Sequence, residues 1–185
     1  MAQPRTSQRI LVCYDGSPHA HAAIAEAATL FPGARADVLV VVEIGFALVA
    51  ASGPIAFPAM PGPDVLADLE ASAHRLADEG TELARRLGLD ATPMVTLDAR
   101  TTWHQVVDVA EAAPYAAVVV GSRGRSAVRT ALLGGVSMGV VTHCHKPVVV
   151  VHAPRETAAT EFDYSEGDVA DELASMDPHA VVPPR

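Results

Sequence analysis

Five short apolar runs, each followed by an amphipathic stretch, leave this chain few folds to choose from. The runs lie at residues 10–14, 36–42, 93–97, 116–120 and 147–151, and valine is their commonest residue. They are largely apolar along their length instead of alternating with polar residues. That pattern suits strands buried on both faces, which belong to parallel sheets covered by helices. The alternation of strand and helix signals over the first 152 residues therefore predicts an α/β domain built on a parallel sheet with helices on both faces. With 185 residues, 50% of them hydrophobic, the chain has material for one well-cored domain and an appendage.

The helical segments carry readable ends. The first has Ser17 at the N-cap and Pro18 at the first helical position, puts Ala20, Ile24, Ala27 and Phe31 on one face, and stops at Pro32-Gly33. The second, residues 64–87, carries Leu66, Leu69, Ala73, Leu76, Gly80, Leu83 and Leu87 at alternating spacings of three and four, with Gly88 as its stop. A stripe this short with a glycine in its seam predicts a long helix lying on a sheet in preference to a coiled coil. The third opens with Thr102 and Gln105 in capping-box spacing and turns Trp103, Val106, Ala110 and Ala113 inward, which makes Trp103 core or rim.

The run GSRGRSAVRTALLGGVS, directly after the fourth apolar run, carries the chemistry. Gly121 and Gly124 lie three apart, and Gly134 follows ten residues later. Lacking a Cβ, such residues let the backbone come close to a ligand, so that successive N–H groups converge on one anion. The helix that follows, residues 136–143, aims its free N–H groups and positive dipole end at the same point. Ser122 and Ser137 add hydroxyls, and Arg123, Arg125 and Arg129 add positive charge. Phosphate binding is the predicted role; a plain surface turn with solvated arginines is the alternative. Asp15, closing the first strand, has two readings: orienting a ribose, base or divalent ion, or capping the first helix.

These residues resemble the universal stress protein family. The glycine spacing looks like that family's nucleotide loop, Gly-x2-Gly-x9-Gly-[Ser/Thr]; Tyr14-Asp15-Gly16-Ser17 looks like its first strand and turn, and Lys146-Pro147 opens a similar closing strand. The resemblance covers residues 8 to 152, with Gly135 standing where the family has Ser or Thr. It implies a doubly wound five-stranded parallel sheet of order 3-2-1-4-5, of the adenine nucleotide α-hydrolase-like kind. In such a sheet Asp15 and Gly121 face each other at the switch point, where ligands bind. It further implies ATP, AMP or cyclic AMP as ligand, with Mg2+ a companion of the phosphates. Gly121, Gly124, Gly134, Gly135 and Val136 would present backbone to phosphate, Ser122, Arg123, Arg125 and Ser137 side-chain donors, and Tyr14, Asp15 and Val41 the nucleoside end. Val42 beside Val41 would wall the adenine, with ordinary sheet core as its alternative. Dimerisation is implied too, through the last strand from Val148 to His152, whose unpaired edge needs a cover.

The implied organisation is an N-terminal arm at 1–8, a nucleotide-binding domain at 9–153 and an acidic tail at 154–185. That tail holds eight acids against two arginines and few large apolar groups after Phe162 and Tyr164, so it is expected to be mobile. A net charge of −9 argues against nucleic acid as a partner. The twenty uncharged residues 44–63 have the length to cross a membrane, but four prolines and three glycines would break a spanning helix. They are expected to cover the adenine, pack on a partner, or form a loose insertion. Two cysteines without framework spacing and an N-terminus without an apolar core lead to the expectation of a cytoplasmic protein.

Rival motifs are weaker. Gly135-Val136-Ser137-Met138-Gly139 satisfies the serine-hydrolase elbow, yet the nearest strand ends about fifteen residues earlier. His143-Cys144-His145 has metal-ligating side chains, but neighbours on a helix end point in different directions. Lys146, the one lysine, follows no Walker-type loop, and no Gly-x-Gly-x-x-Gly follows the first strand. Without an evident base or transition-state lysine, ATP turnover is expected to be slow at most. The function expected is nucleotide-dependent control of partner interactions. The alternatives are a nucleotide-independent dimeric adaptor, favoured by Gly135, and a serine hydrolase using Ser137.

Overall fold

The apolar runs fold as strands, each within a residue or two of its expected end except the third, which starts three residues early. The computed structural model describes residues 8–44, 63–124 and 133–153. In chain order these form β1 (Arg9–Cys13), α1 (Pro18–Leu30), β2 (Arg35–Glu43), α2 (Pro63–Arg86), β3 (Asp90–Asp98), α3 (Thr102–Ala112), β4 (Ala117–Gly121), α4 (Gly135–His143) and β5 (Val148–Val151). The strands pair in the order β3-β2-β1-β4-β5, every pair parallel. Order and helix placement are those of the expected doubly wound sheet. Arg125, Arg129, most of residues 44–63 and the acidic tail lie outside the described residues.

Side chains alternate across the central strands, so the sheet feeds two cores. Ile10, Val12, Val38 and Val40 meet the alanines of α1 and α2 on one face. Leu11, Leu39, Val118 and Val120 meet Val106 and Ala110 of α3 and Val140 of α4 on the other. Burial on both faces holds for β1, β2 and β4 but not for the edges. Most of β3 and of β5 is half-buried or exposed, because an edge strand has a neighbour on one side only.

The stripe of α2 is displaced from its leucines. Ala73, Ala77, Gly80, Thr81 and Ala84 are buried, Leu66, Leu69, Leu76 and Leu83 are half-buried, and Leu87 is 44% exposed. Small residues let the helix approach the sheet closely, and the leucines straddle that line of contact. At Gly80 the approach is to Tyr14, whose ring lies 2.6 Å from where a Cβ would be.

The capping box expected at α3 does not form. Thr101 is the N-cap, without a side-chain bond of its own to the helix backbone. Thr102 instead sends both its N–H and its hydroxyl to Glu43 Oε2 at the end of β2, 3.2 Å each. Gln105 turns its amide N–H groups to the carbonyls of Arg100, Asp98 and Val42. A carboxylate from another strand does the capping, a partner local spacing could not announce.

At the opposite end of the strands sits a charged cluster that sequence inspection passed over. Asp37 of β2 is buried at 6% exposure and accepts bonds from Arg9, Thr92 and Tyr115. The Arg9 guanidinium also lies over the Tyr115 ring, 5.0 Å from its centre.

Candidate functional site

Because β1 and β4 are neighbours whose connections leave toward opposite faces, a crevice opens at their C-terminal ends. Two adjoining clefts occupy it, of about 100 Å³ over β1 and β4 and about 760 Å³ toward β2 and α2. Tyr14, Asp15, Val41, Thr102 and Val136 line both. Gly121, Arg123, Gly124 and Ser137 line the first.

The turn after β1 is built to hold Asp15 in place. Ser17 caps α1, its Oγ accepting from the N–H of Ala20 at 3.1 Å, and Asp15 Oδ1 accepts from the N–H of Ser17 at 3.0 Å. Both residues read as possible caps therefore act in one turn: Ser17 closes the helix and Asp15 closes the turn leading into it. The Ser17 hydroxyl also donates to Arg123 O at 3.4 Å, tying the two strand ends together.

Two glycines of the loop are required by close approach. A Cβ on Gly121 would sit 2.8 Å from the backbone carbon of His19, and one on Gly124 would sit 2.8 Å from Asp15 Oδ2. No side chain fits at either position without moving α1 or the aspartate. Gly135 differs: nothing lies within 4 Å of its Cβ position, so the hydroxyl residue of the pattern would have room there.

Gly134 donates to Ser122 O at 2.7 Å and is the N-cap of α4, with no side-chain cap. The first intrahelical bond runs from Met138 N to Gly134 O, so the N–H groups of Gly135, Val136 and Ser137 have no acceptor within the helix. This end of the helix opens beside the first cleft, which Val136 and Ser137 line.

Not every predicted donor is delivered. Ser122 is fully buried and does not line either cleft; its hydroxyl has no partner among the described residues. The Ser137 hydroxyl donates to Gly121 O at 2.7 Å, so its one proton is used within the fold. The same bond weakens the hydrolase reading. Ser137 lies inside a helix capped at Gly134 rather than on a turn directly after a strand.

Tyr14 lines both clefts, yet its hydroxyl is engaged by side chains of α1 and α2. It donates to Glu79 Oε1 at 3.1 Å and lies 3.1 Å from His21 Nε2. Burial, then the Glu79 charge, pushes the phenol from 10.0 to about 12. The metal-like run is absorbed by packing. His143 stacks on Trp103 with ring centres 4.3 Å apart, and Glu111 holds the backbone N–H of His145 at 2.9 Å. Among the described residues no group of three or more His, Cys, Asp or Glu is placed to hold a metal ion.

Sequence inspection missed Thr102 and its partner Glu43, and also Cys13 and Leu39, as lining residues. The acid closing a Val-rich strand was the available signal for Glu43. Its fixed contact with α3 comes only from tertiary folding.

Comparison with known proteins agrees with this fold. The model of the universal stress protein family matches residues 6–152. A universal stress protein of Mycobacterium tuberculosis is 31% identical over 156 residues, covering 83% of this chain. This chain spans about half the length of that relative, 50% of it being matched. Among solved structures, a universal stress protein from Archaeoglobus fulgidus in complex with dAMP matches with TM-score 0.53 and 18% identity, over 78% of this chain and 97% of its own. Another universal stress protein, in complex with cAMP, matches with TM-score 0.56 and 20% identity, over 80% and 98%. These likenesses carry the fold. No described helix is long and apolar enough to cross a membrane. With the family model spanning most of the chain and the sheet order and loop glycines in agreement, this chain belongs to the universal stress protein family.

Proposed function

We propose that this protein binds an adenine nucleotide in the crevice over β1 and β4 and uses its occupancy to change which partners it contacts. The observation that carries the reading is one meeting point: the Asp15 carboxylate, the glycine backbone at Gly124 and the uncapped N-terminus of α4 border the same cleft. Phosphate would take the N–H groups of Gly135, Val136 and Ser137 and the backbone of Gly121, Gly124 and Gly134. Arg123 and Arg125 would supply positive charge, and Asp15, Val41 and the Tyr14 backbone the nucleoside end. Relatives of this fold in complex with dAMP and with cAMP support the ligand class.

ATP is the ligand we favour, with Mg2+ carried in on its phosphates. A magnesium ion needs few protein ligands in such a setting, and Asp15 is the acid lining the first cleft. The role proposed is regulatory, with ATP hydrolysis slow at most. The working unit is residues 9–153, acting in the cytoplasm as a homodimer joined along β5. Val148, Val149 and Val150 there are half-buried on an open sheet edge.

Titrating the purified chain with ATP, AMP and cyclic AMP by calorimetry tests this directly. Saturable binding that is lost in Gly124→Asp supports it. A second reading, a nucleotide-independent adaptor, is favoured by Gly135, which removes one hydroxyl from the phosphate end. A folded dimer that binds none of the three ligands would select it.

A further inference from the structure

Three cationic or titratable groups crowd the rim of the loop, and two of them belong to no part of the motif. His19 stands in the first turn of α1 with its Cβ 2.9 Å from the Cβ position of Gly121, so its base rests on the start of the loop. The N–H of Ser122 donates to Val151 O at 2.7 Å, which sets His152, the next residue along, beside the same stretch of backbone. Arg123 follows Ser122 and lines the first cleft. Asp15, bordering Gly124, is the opposing negative charge. The positive end of α1 adds to the field on His19.

Burial first, then the positive charges of Arg123 and His152, hold the His19 imidazole below its ordinary range, while Asp15 pulls the other way. Two of the three lowering influences are cationic. An anion brought to this rim would offset both, and the imidazole would then take up a proton.

We infer that His19 and His152 form, with Arg123, a proton-gated cationic rim that makes the site prefer di- and triphosphates over monophosphates, increasingly so as pH falls. The inference rests on the nucleotide reading above and adds specificity to it. His19 and His152 line neither cleft but flank the backbone at Gly121 and Ser122 beside the first. A phosphate ending at the α4 N-terminus would therefore stay clear of them. Only further phosphates reaching past Arg123 would enter their field, where protonated imidazoles attract and neutral ones do not.

The test is calorimetry of the full chain with ATP and with AMP at pH 6 and pH 8, in pairs of buffers of different ionisation enthalpy, so that protons taken up on binding are counted. The comparison protein is the double variant His19→Gln, His152→Gln, which also subtracts the titration of ATP itself. The wild type is expected to strengthen its ATP-over-AMP preference about tenfold from pH 8 to pH 6, the equivalent of one pKa unit of linkage, with net proton uptake. In the double variant that pH dependence and uptake collapse. NMR titration of the His19 ring gives an independent reading: its pKa should rise when ATP is added. ATP binding with the same proton count and the same pH dependence in both proteins overturns the inference and leaves the nucleotide reading standing. Failure of the wild type to bind either ligand at either pH overturns both.

Discussion

Asp15 and Gly124, on connections that leave neighbouring strands, approach so closely that a Cβ on the glycine would lie 2.8 Å from the carboxylate Oδ2. The contact fixes one wall of the first cleft. It predicts that Gly124→Ala displaces Asp15 and weakens ATP binding at least tenfold, and that Gly124→Asp, which adds like charge at contact distance, abolishes it. Calorimetry reads both, and circular dichroism should show the sheet and helices intact. Full affinity in Gly124→Asp would move the site elsewhere.

Ser17 serves two connections, capping α1 through Ala20 N and donating to Arg123 O. Ser17→Ala should cost about 1 kcal/mol of stability in urea denaturation, the usual value of a lost N-cap. Because the same hydroxyl holds the loop backbone, nucleotide affinity should fall with it, whereas Ser17→Thr should restore most of both.

Asp37 is the charge most exposed to disruption by mutation, being buried with three donors converging on it. Asp37→Ala should destabilise by about 1–2 kcal/mol, chiefly because the buried Tyr115 hydroxyl loses its acceptor, while Arg9 and Thr92 remain open to water. Tyr115→Phe should cost about 1 kcal/mol, one hydrogen bond. Chemical denaturation of both variants separates the network from the packing. A loss below 1 kcal/mol for Asp37→Ala would make the cluster a surface feature.

Tyr14 predicts an alkaline limb to stability. Its phenol is raised from 10.0 to about 12 in the folded protein, so folding favours the protonated form. That contribution is complete below the unfolded value and is lost as pH climbs from about 10 through about 12. Burial and the bond to Asp37 hold the Tyr115 phenol well above its ordinary value too. Ultraviolet titration should therefore show two late phenols, one of which is missing in Tyr14→Phe, and the variant should lose stability less steeply over that window.

The dimer proposed along β5 is open to a direct check. Val149→Lys places a charge among the half-buried valines of the edge and should leave a folded monomer in light scattering. An unchanged dimer would mean that another surface joins the subunits.

The strands, the ends of α1 and the loop glycines could be read from sequence because their causes are local. Val-rich runs, a Ser-Pro helix start and glycine spacing each act within a few residues. The buried face of α2 could not. Leucine dominates any periodicity count, yet the helix settles on Ala73, Ala77 and Ala84, because closeness to the sheet is set by the smallest residues. Nor could the spacing of Thr102 and Gln105 reveal that Glu43, fifty-nine residues before Thr102, would cap α3. Ser122 and Ser137 stood in the right loop, but only folding decides which way a hydroxyl points: one is buried and the other bonds to Gly121 O.

Sequence by itself determined the class of fold, the family resemblance and the glycine loop proposed as the phosphate site, since hydrophobic pattern and backbone freedom belong to short stretches of chain. Tertiary structure alone decided that Asp15 presses on Gly124, that His19 and His152 flank the same loop, and that Asp37 gathers Arg9, Thr92 and Tyr115. Those contacts join residues far apart in the chain. They exist only once the order β3-β2-β1-β4-β5 has brought the ends of β1, β4 and β5 side by side.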